Sequence, residues 1–166
     1  MKTVLFALAI VYAAPQPETV HQTDDEFVRF AVAANLAEVE LSAVAVDHAS
    51  SGAVKQFAQQ MTGDHHKAGL EIKAIADRKH IPIPTALDGE HASLKKQLLS
   101  LKGADFDRRF MDAMVDDHKA TVAAFTNKAE HGADADIKAY AMKTLPTIER
   151  HRKLAEQIDN TLGTRP

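Results

Sequence analysis

Four long helical patterns, and the lengths of the segments that join them, constrain this chain more than any other feature of its sequence. Apolar residues recur at helical spacing in each pattern, and helix-breaking residues such as those at 81–84 separate the patterns. Thr23, with Glu26 three residues later, predicts a capping box at the start of the first helix. The patterns predict four helices, over about 24–48, 53–79, 105–130 and 135–161.

The connections predict how these helices are arranged. The first and last connections are tight, whereas the middle one has roughly two dozen residues and a short helical piece over about 89–101. This order is typical of two antiparallel hairpins joined by a crossover that travels the length of the bundle, as in ferritin-like folds. We therefore expect one all-α domain over 24–161, a ferritin-like up-down four-helix bundle.

The first residues of the chain predict export. Lys2 precedes an apolar run over 4–11, and small residues follow before Pro15, a pattern typical of a secretory signal peptide. We expect a signal peptide over 1–14, a leader over 15–23, and a mature chain in the periplasm or associated with the outer membrane. Because the apolar run is too short to span a bilayer comfortably, we expect no transmembrane span in the mature chain.

Composition and charge exclude several classes of function. The net charge of −3 provides no basic field for binding nucleic acid, so we expect no nucleic-acid partner. Cysteine is absent from the sequence, which excludes a disulfide framework, a thiolate metal site and haem attachment through cysteine. Serines are few and fall mostly in turns, so covalent hydrolase chemistry is not expected either.

The informative polar residues are those that fall on the apolar faces of the predicted helices. At 100° per residue, Glu38 lies on the apolar face of the first helix, whereas Glu40 points about 160° away from it. His65, His118 and His151 lie on the apolar faces of the second, third and fourth long helices in the same way. Each long helix thus directs one ionisable side chain into the core.

Residues that share a site must also lie at the same height in the bundle. At 1.5 Å per residue, the first three of these residues each lie about 20 Å from the tight turn of their own hairpin. Counted from the N-caps of their helices, His151 lies three residues further along than His65, which is roughly 4.5 Å. A kink at Pro146 would change this offset. Glu149 is the alternative donor on that helix, but it points about 160° away from His151.

A metal ion would account for this buried polar layer. Burying carboxylate and imidazole groups costs free energy unless something satisfies them, and a divalent transition metal ion (Zn, Fe, Mn or Cu) binds both groups. The alternative is a water-filled polar layer with Glu–His hydrogen bonds and no metal. The predicted ligands are Glu38, His65, His118 and His151, with Asp64 and Asp117 as further ligands or as partners that orient the imidazoles.

Two methionines and the remaining histidines receive a simpler interpretation. Met61 and Met114 lie one turn before two of the core histidines and fit core packing, with a soft Cu(I) site as the alternative. The remaining histidines are not expected to be ligands: His21, His48, His66, His80, His91 and His131.

Repeated segments carry a resemblance to a known family. Phe57–His65 and Phe110–His118 share a Phe-x-x-x-Met-x-x-Asp-His pattern, and Leu36–Leu41 and Thr144–Pro146 accompany it. Together they resemble the bacterial domain-of-unknown-function family 4142, over about residues 24–158. The resemblance implies a ferritin-like, exported protein and supplies no activity. Because none of the predicted helices carries the Glu-x-x-His motif that di-iron ferritins place on two helices, ferroxidase chemistry is not implied and a mononuclear centre fits better.

Three functions are compatible with this sequence. The first is an exported metal-binding bundle that takes part in metal handling or envelope stress protection. The second is a structural or interaction module of the cell envelope whose polar layer only fixes helix register. The third is a metal-dependent oxidase-type enzyme, which would need an open coordination position. The sequence leaves open the metal, the oligomeric state and whether the protein is an enzyme.

Overall fold

The computed structural model describes residues 22–163, and within this range every regular element is a helix. The all-α prediction is therefore confirmed, and every predicted helix is present with its ends within two residues of the expected positions. The predicted signal peptide and most of the predicted leader lie outside the described residues. The helices are α1 (Asp24–His48), α2 (Gly52–Lys79), α3 (Gly89–Ser100), α4 (Gly103–His131) and α5 (Ala135–Leu162).

Local sequence signals fix the helix ends. The predicted capping box is present at α1: the Glu26 backbone N–H donates to Thr23 Oγ1, and the Thr23 N–H donates to the Glu26 carboxylate. Asp134 caps α5, because its side chain accepts hydrogen bonds from the backbone N–H groups of Asp136 and Ile137. At the C-terminal end of α2, His80 adopts a left-handed conformation with φ of 55°, which turns the chain into the proline-containing segment.

Contacts at the two ends of the molecule show how the four long helices are arranged. Lys128 near the end of α4 binds Asp24 at the start of α1, and Lys79 at the end of α2 binds Asp134 beside the start of α5. At the opposite end, Asp107 near the start of α4 accepts hydrogen bonds from the residues that follow α1. Neighbouring long helices are therefore antiparallel, in the cyclic order α1, α2, α5, α4. The crossover joins the diagonal pair α2 and α4, and its helix α3 packs on α1 and α4.

Two apolar clusters fill the core and leave a polar layer between them. One cluster includes Leu41, Phe57 and Phe110, near the turn between α1 and α2. The other includes Phe27 and Phe125, towards the opposite end. On each long helix the predicted inward-facing polar residue falls between the stretches that enter the two clusters, so the polar layer lies near mid-height.

Between residues 22 and 163, none of the helices combines the length and the apolar character needed to cross a bilayer.

Candidate metal centre

Three of the predicted ligands meet in the polar layer. His65 on α2, His118 on α4 and His151 on α5 have ring centroids 5.3 to 5.7 Å apart. One ring nitrogen of each lies within 4.8 Å of the corresponding nitrogens of the other two. The residues are 7%, 1% and 1% exposed, so this histidine triad is sealed from bulk solvent on most sides.

Each ring of the triad is held by one hydrogen bond from one of its two nitrogens. In all three cases the partner is an oxygen acceptor, so the ring must donate its N–H there and keep a lone pair on its other nitrogen. The three contacts run from His65 Nδ1 to Asn35 Oδ1 at 3.1 Å, from His118 Nδ1 to the Met114 carbonyl at 2.8 Å, and from His151 Nε2 to Asp64 Oδ2 at 2.9 Å.

The second nitrogen of each ring has no such partner. His65 Nε2, His118 Nε2 and His151 Nδ1 are buried, and no described residue provides a hydrogen bond to any of them. Because buried polar atoms normally find a partner, three such atoms in one layer require an explanation. Orientation of an imidazole through one nitrogen, with the other nitrogen free, is the arrangement found in histidine metal ligands.

The electrostatic environment keeps these imidazoles neutral. Burial lowers the pKa of His118 to about 4. Burial also lowers the pKa of His65 well below its usual range, with a further contribution from the neighbouring histidine rings, and it lowers the pKa of His151. Neutral imidazole is the form that binds a metal ion, so no proton has to be removed before binding near pH 7.

Glu38 enters the same layer in a different position. It is 4% exposed, and its Oε1 lies 3.4 Å from His118 Nδ1, the ring nitrogen that is already bonded to the Met114 carbonyl. The compact set of ligand atoms is formed by the histidines without Glu38. Burial raises the pKa of the Glu38 carboxyl well above its usual range, and the charge of Asp117 adds to the effect. Its Oε2 has no hydrogen-bond partner among the described residues.

The two aspartates that precede core histidines have different surroundings. Asp64 is half-exposed and orients His151 across the α2–α5 interface. Asp117 turns away from the triad towards the crossover, where its Oδ2 lies 3.6 Å from His91 Nε2. Asp88 contacts the other nitrogen of His91 at 2.6 Å. The carboxylates of Asp117 and Asp88 raise the pKa of His91 to about 9, so this histidine is charged at neutral pH.

His151 joins the triad although the residue count set it apart in height. That count began at the N-caps of α2 and α5, which lie at opposite ends of the bundle because the two helices are antiparallel. The ion pair of Lys79 with Asp134 supplies the correct common origin. From this end, His65 lies about 21 Å along α2 and His151 about 25.5 Å along α5, so the offset is again about 4.5 Å, and the two side chains span it.

Asn35 is the residue of the site that the sequence patterns left unnoticed. It is buried at 6% exposure, its amide donates to the Ala31 carbonyl at 2.7 Å, and its oxygen accepts from His65. Asn35 lies about 60° from Glu38 on the helical wheel, so the same periodicity that selected Glu38 could have found it. Met114 contributes its backbone carbonyl, while the side chains of Met61 and Met114 pack in an apolar cluster.

The spacing of the three rings is close to the spacing that a metal ion requires. The triad lines a cavity of about 20 Å³, which is enough for one ion or one water molecule. The centre of a triangle with 4.8 Å sides lies about 2.8 Å from each corner, whereas Zn–N bonds are about 2.0–2.1 Å long. Each ring nitrogen would therefore move by less than about 1 Å to coordinate an ion.

The fold and this centre define a helical-bundle protein with a buried histidine cluster, and comparison with known proteins places it more closely. The family model "Domain of unknown function (DUF4142)" matches residues 10–158. The chain therefore belongs to this family, as the sequence resemblance predicted. A search among curated proteins found no significant match.

Solved structures share the fold at low sequence identity. A crystal structure of a DUF305 fragment from Deinococcus radiodurans matches 83% of this chain and 95% of its own, with a TM-score of 0.73 and 16% identity. A DUF305 protein from Streptomyces coelicolor, described as secreted, matches 88% of this chain and 96% of its own, with a TM-score of 0.73 and 15% identity. These likenesses concern the fold alone.

Proposed function

We propose that this protein binds one divalent transition metal ion through His65, His118 and His151 and serves in metal handling or stress protection in the cell envelope. The three buried ring nitrogens without a protein partner carry this proposal. Export to the periplasm or the outer membrane is part of the proposal and follows from the apolar N-terminal segment.

The alternative of a water-filled polar layer explains these atoms less well. All three free nitrogens are lone-pair acceptors, since the other nitrogen of each ring donates to an oxygen. The rings therefore cannot hydrogen-bond to one another through these atoms. One water molecule has two protons and leaves one of three acceptors unsatisfied, and the cavity holds about one water. A single cation accepts all three lone pairs at once.

The donor set narrows the choice of metal. Three neutral imidazoles suit Zn²⁺ and Cu²⁺, and they also suit Fe²⁺, whereas Mn²⁺ prefers carboxylate and water oxygens. Three protein ligands leave one coordination position for water or another small ligand. Asn35, the Met114 carbonyl and Asp64 would hold the rings in place and make the bound nitrogens better donors.

Metal titration of the purified, chelator-treated protein tests the proposal. We expect isothermal titration calorimetry and elemental analysis to show one equivalent of Zn²⁺ or Cu²⁺, with Mn²⁺ bound more weakly. The double variant His65→Ala/His118→Ala should lose this binding. His66→Ala is the matched control, since His66 directly follows His65 but is exposed; it should bind like the wild type.

Thermal unfolding provides an independent readout of the same binding. An ion at a hundred times its dissociation constant stabilises the native state by about 2.7 kcal/mol, so the wild type should gain stability with metal and lose it with chelator. The double variant should show neither change. Equal metal content and equal stability in wild type and double variant would contradict the proposal and favour the structural role.

A further inference from the structure

A second pocket lies on the outer side of the bundle, next to the cavity of the histidine triad. It lies between α1, α4 and the start of α3 and has a volume of about 290 Å³. Ala34, Glu38 and Thr121 line both this pocket and the small cavity of the histidine triad. These three residues therefore form the wall through which an ion would pass from one space to the other.

The mouth of this pocket carries metal-binding chemistry. Asp88, Glu90 and His91 reach it from the crossover, and Asp117 reaches it from α4. His91 contacts carboxylates on both sides and so joins the crossover to the bundle. Among the described residues that line the pocket there is no lysine or arginine. We call these four residues together with Glu38 the acidic vestibule.

Glu38 forms the inner end of the acidic vestibule. It is more than nine-tenths buried, its Oε2 has no hydrogen-bond partner among the described residues, and it lines the vestibule as well as the cavity. Its Oε1 is 3.4 Å from the His118 ring. When an arriving cation displaces its proton, the Glu38 carboxylate can hold the ion after it has left water and before it reaches all three imidazoles.

We propose that the acidic vestibule is the route by which a divalent cation reaches the histidine triad, with the carboxylates of Asp88 and Asp117 as a transient binding site once they separate from His91, and Glu38 as the relay to the inner cavity. The inference rests on the proposed metal binding and adds the path of loading. Its chemistry is stepwise ligand exchange: carboxylate oxygens replace water at the mouth, and three imidazole nitrogens replace these oxygens in the core.

A third pocket, which is mostly apolar, touches the triad from the other side and is a less suitable path for an ion. It is lined by α1, α2 and the segment after α2, has a volume of about 360 Å³ and touches Asn35 and His65. Its lining is mostly apolar, with Lys73 as a positive charge and no carboxylate. A divalent cation would lose water there without gaining a charged ligand, which is costly.

Loading kinetics distinguish the two routes. Metal-free protein is mixed with Co²⁺ in a stopped-flow instrument, and the visible absorption of the bound ion is followed in time. Ala120→Lys adds a positive charge at the acidic vestibule, and Thr85→Lys adds the same charge at the apolar pocket; both positions are exposed. We expect Ala120→Lys to slow loading about threefold or more at low salt, and Thr85→Lys to load like the wild type.

Glu38→Gln tests the relay, because glutamine keeps the size of the side chain but cannot release a proton to become the carboxylate that a cation binds. We expect a loading rate about tenfold below that of the wild type. Wild-type rates in both Ala120→Lys and Glu38→Gln, or an equal or larger effect of Thr85→Lys, would overturn the route while leaving the metal centre in place. A wild type that takes up no Co²⁺, Zn²⁺ or Cu²⁺ would instead contradict the proposed function itself.

Discussion

The bundle buries two kinds of polar cluster, and their hydrogen bonding differs. Near one end, Lys128 is 4% exposed, and its Nζ donates to Asp24 at 2.7 Å and to the Gln22 carbonyl at 2.8 Å while lying 5.6 Å from the Phe27 ring centroid. The other carboxylate oxygen of Asp24 accepts the Asp134 N–H at 2.7 Å. The protein itself thus satisfies every member of this lysine cluster.

At mid-height the histidine triad is satisfied only in part. Each ring has one bonded nitrogen and one buried nitrogen without a partner among the described residues. A fully hydrogen-bonded cluster such as that of Lys128 fixes the packing of helix ends, whereas the free lone pairs of the triad leave room for the metal ion that we propose. The two clusters should therefore respond in opposite ways when a member is replaced.

The largest effect is expected from Lys128→Ala. This change leaves the Asp24 carboxylate in a mostly buried position without its cation, and breaking a buried pair in this way costs about 3–5 kcal/mol. Chemical denaturation should show this loss in the free energy of unfolding, with or without metal. In the matched control Lys73→Ala, the pair with Asp77 is exposed and the loss should stay below about 1 kcal/mol. If Lys128→Ala and Lys73→Ala lowered the free energy of unfolding equally, the buried lysine cluster would be no more stabilising than an exposed ion pair, contrary to this prediction.

His118→Leu in the metal-free protein should act differently, and its effect should depend on pH. Near pH 7 an apolar side chain replaces a buried polar one, so stability should be unchanged or higher. In the wild type, the pKa of His118 is 6.5 unfolded and about 4 folded, so the unfolded state binds the proton first as the pH falls. The wild type should therefore lose roughly 3 kcal/mol from this group between pH 6.5 and 4, and the variant should lack that loss.

Denaturation curves measured in steps across this pH range provide the check. Glu38 acts in the opposite sense, because its raised pKa makes the folded state hold a proton that the unfolded state has released above about pH 4.5. The difference between wild type and variant is therefore the quantity to compare, as Glu38 is present in both. A variant that is less stable than the wild type by several kcal/mol at pH 7 would show that His118 belongs to a closed structural cluster.

The sequence contained enough information for the helices and for the inward-facing residues. In long helices separated by helix-breaking residues, the apolar residues recur at helical spacing. A polar residue on the apolar face can therefore be recognised without knowing which helices pack against it. This is why His65 and His118 could be selected and why Glu40 could be set aside. Asn35 was not predicted, although it lies on the same side of the first helix as Glu38 and the same rule applies to it.

The contacts between helices could not be obtained in this way. Asp64 and Asp117 occupy equivalent places before a histidine, yet one orients His151 and the other faces His91. The difference arises because α3 packs on α1 and α4, which no periodicity encodes. The partner of His118 is a backbone carbonyl, which every residue has, so its identity carries no sequence signal.

The smallest effect is expected at His91, which lies between the two types of cluster. Its ring pairs with Asp88 and Asp117 as a closed group would, but it sits at the mouth of a pocket where water competes for these contacts. Its pKa is raised to about 9, so its contribution to stability is fully present below pH 6.5 and is lost as the pH rises through 9. Asp88 is 51% exposed and Asp117 is 32% exposed, so solvent screening reduces this contribution from the roughly 3 kcal/mol that the full pKa shift would give to about 1 kcal/mol.

His91→Gln should therefore lower the free energy of unfolding slightly at pH 6, and this difference from the wild type should vanish towards pH 10. The exposed His66→Gln is the matched control, because it removes a histidine without an ion pair to the crossover. A loss of several kcal/mol in His91→Gln would show that His91, like Lys128, makes a strongly stabilising contact. A small loss that follows the predicted pH course leaves the crossover contact weak enough to open, as passage of an ion through the acidic vestibule requires.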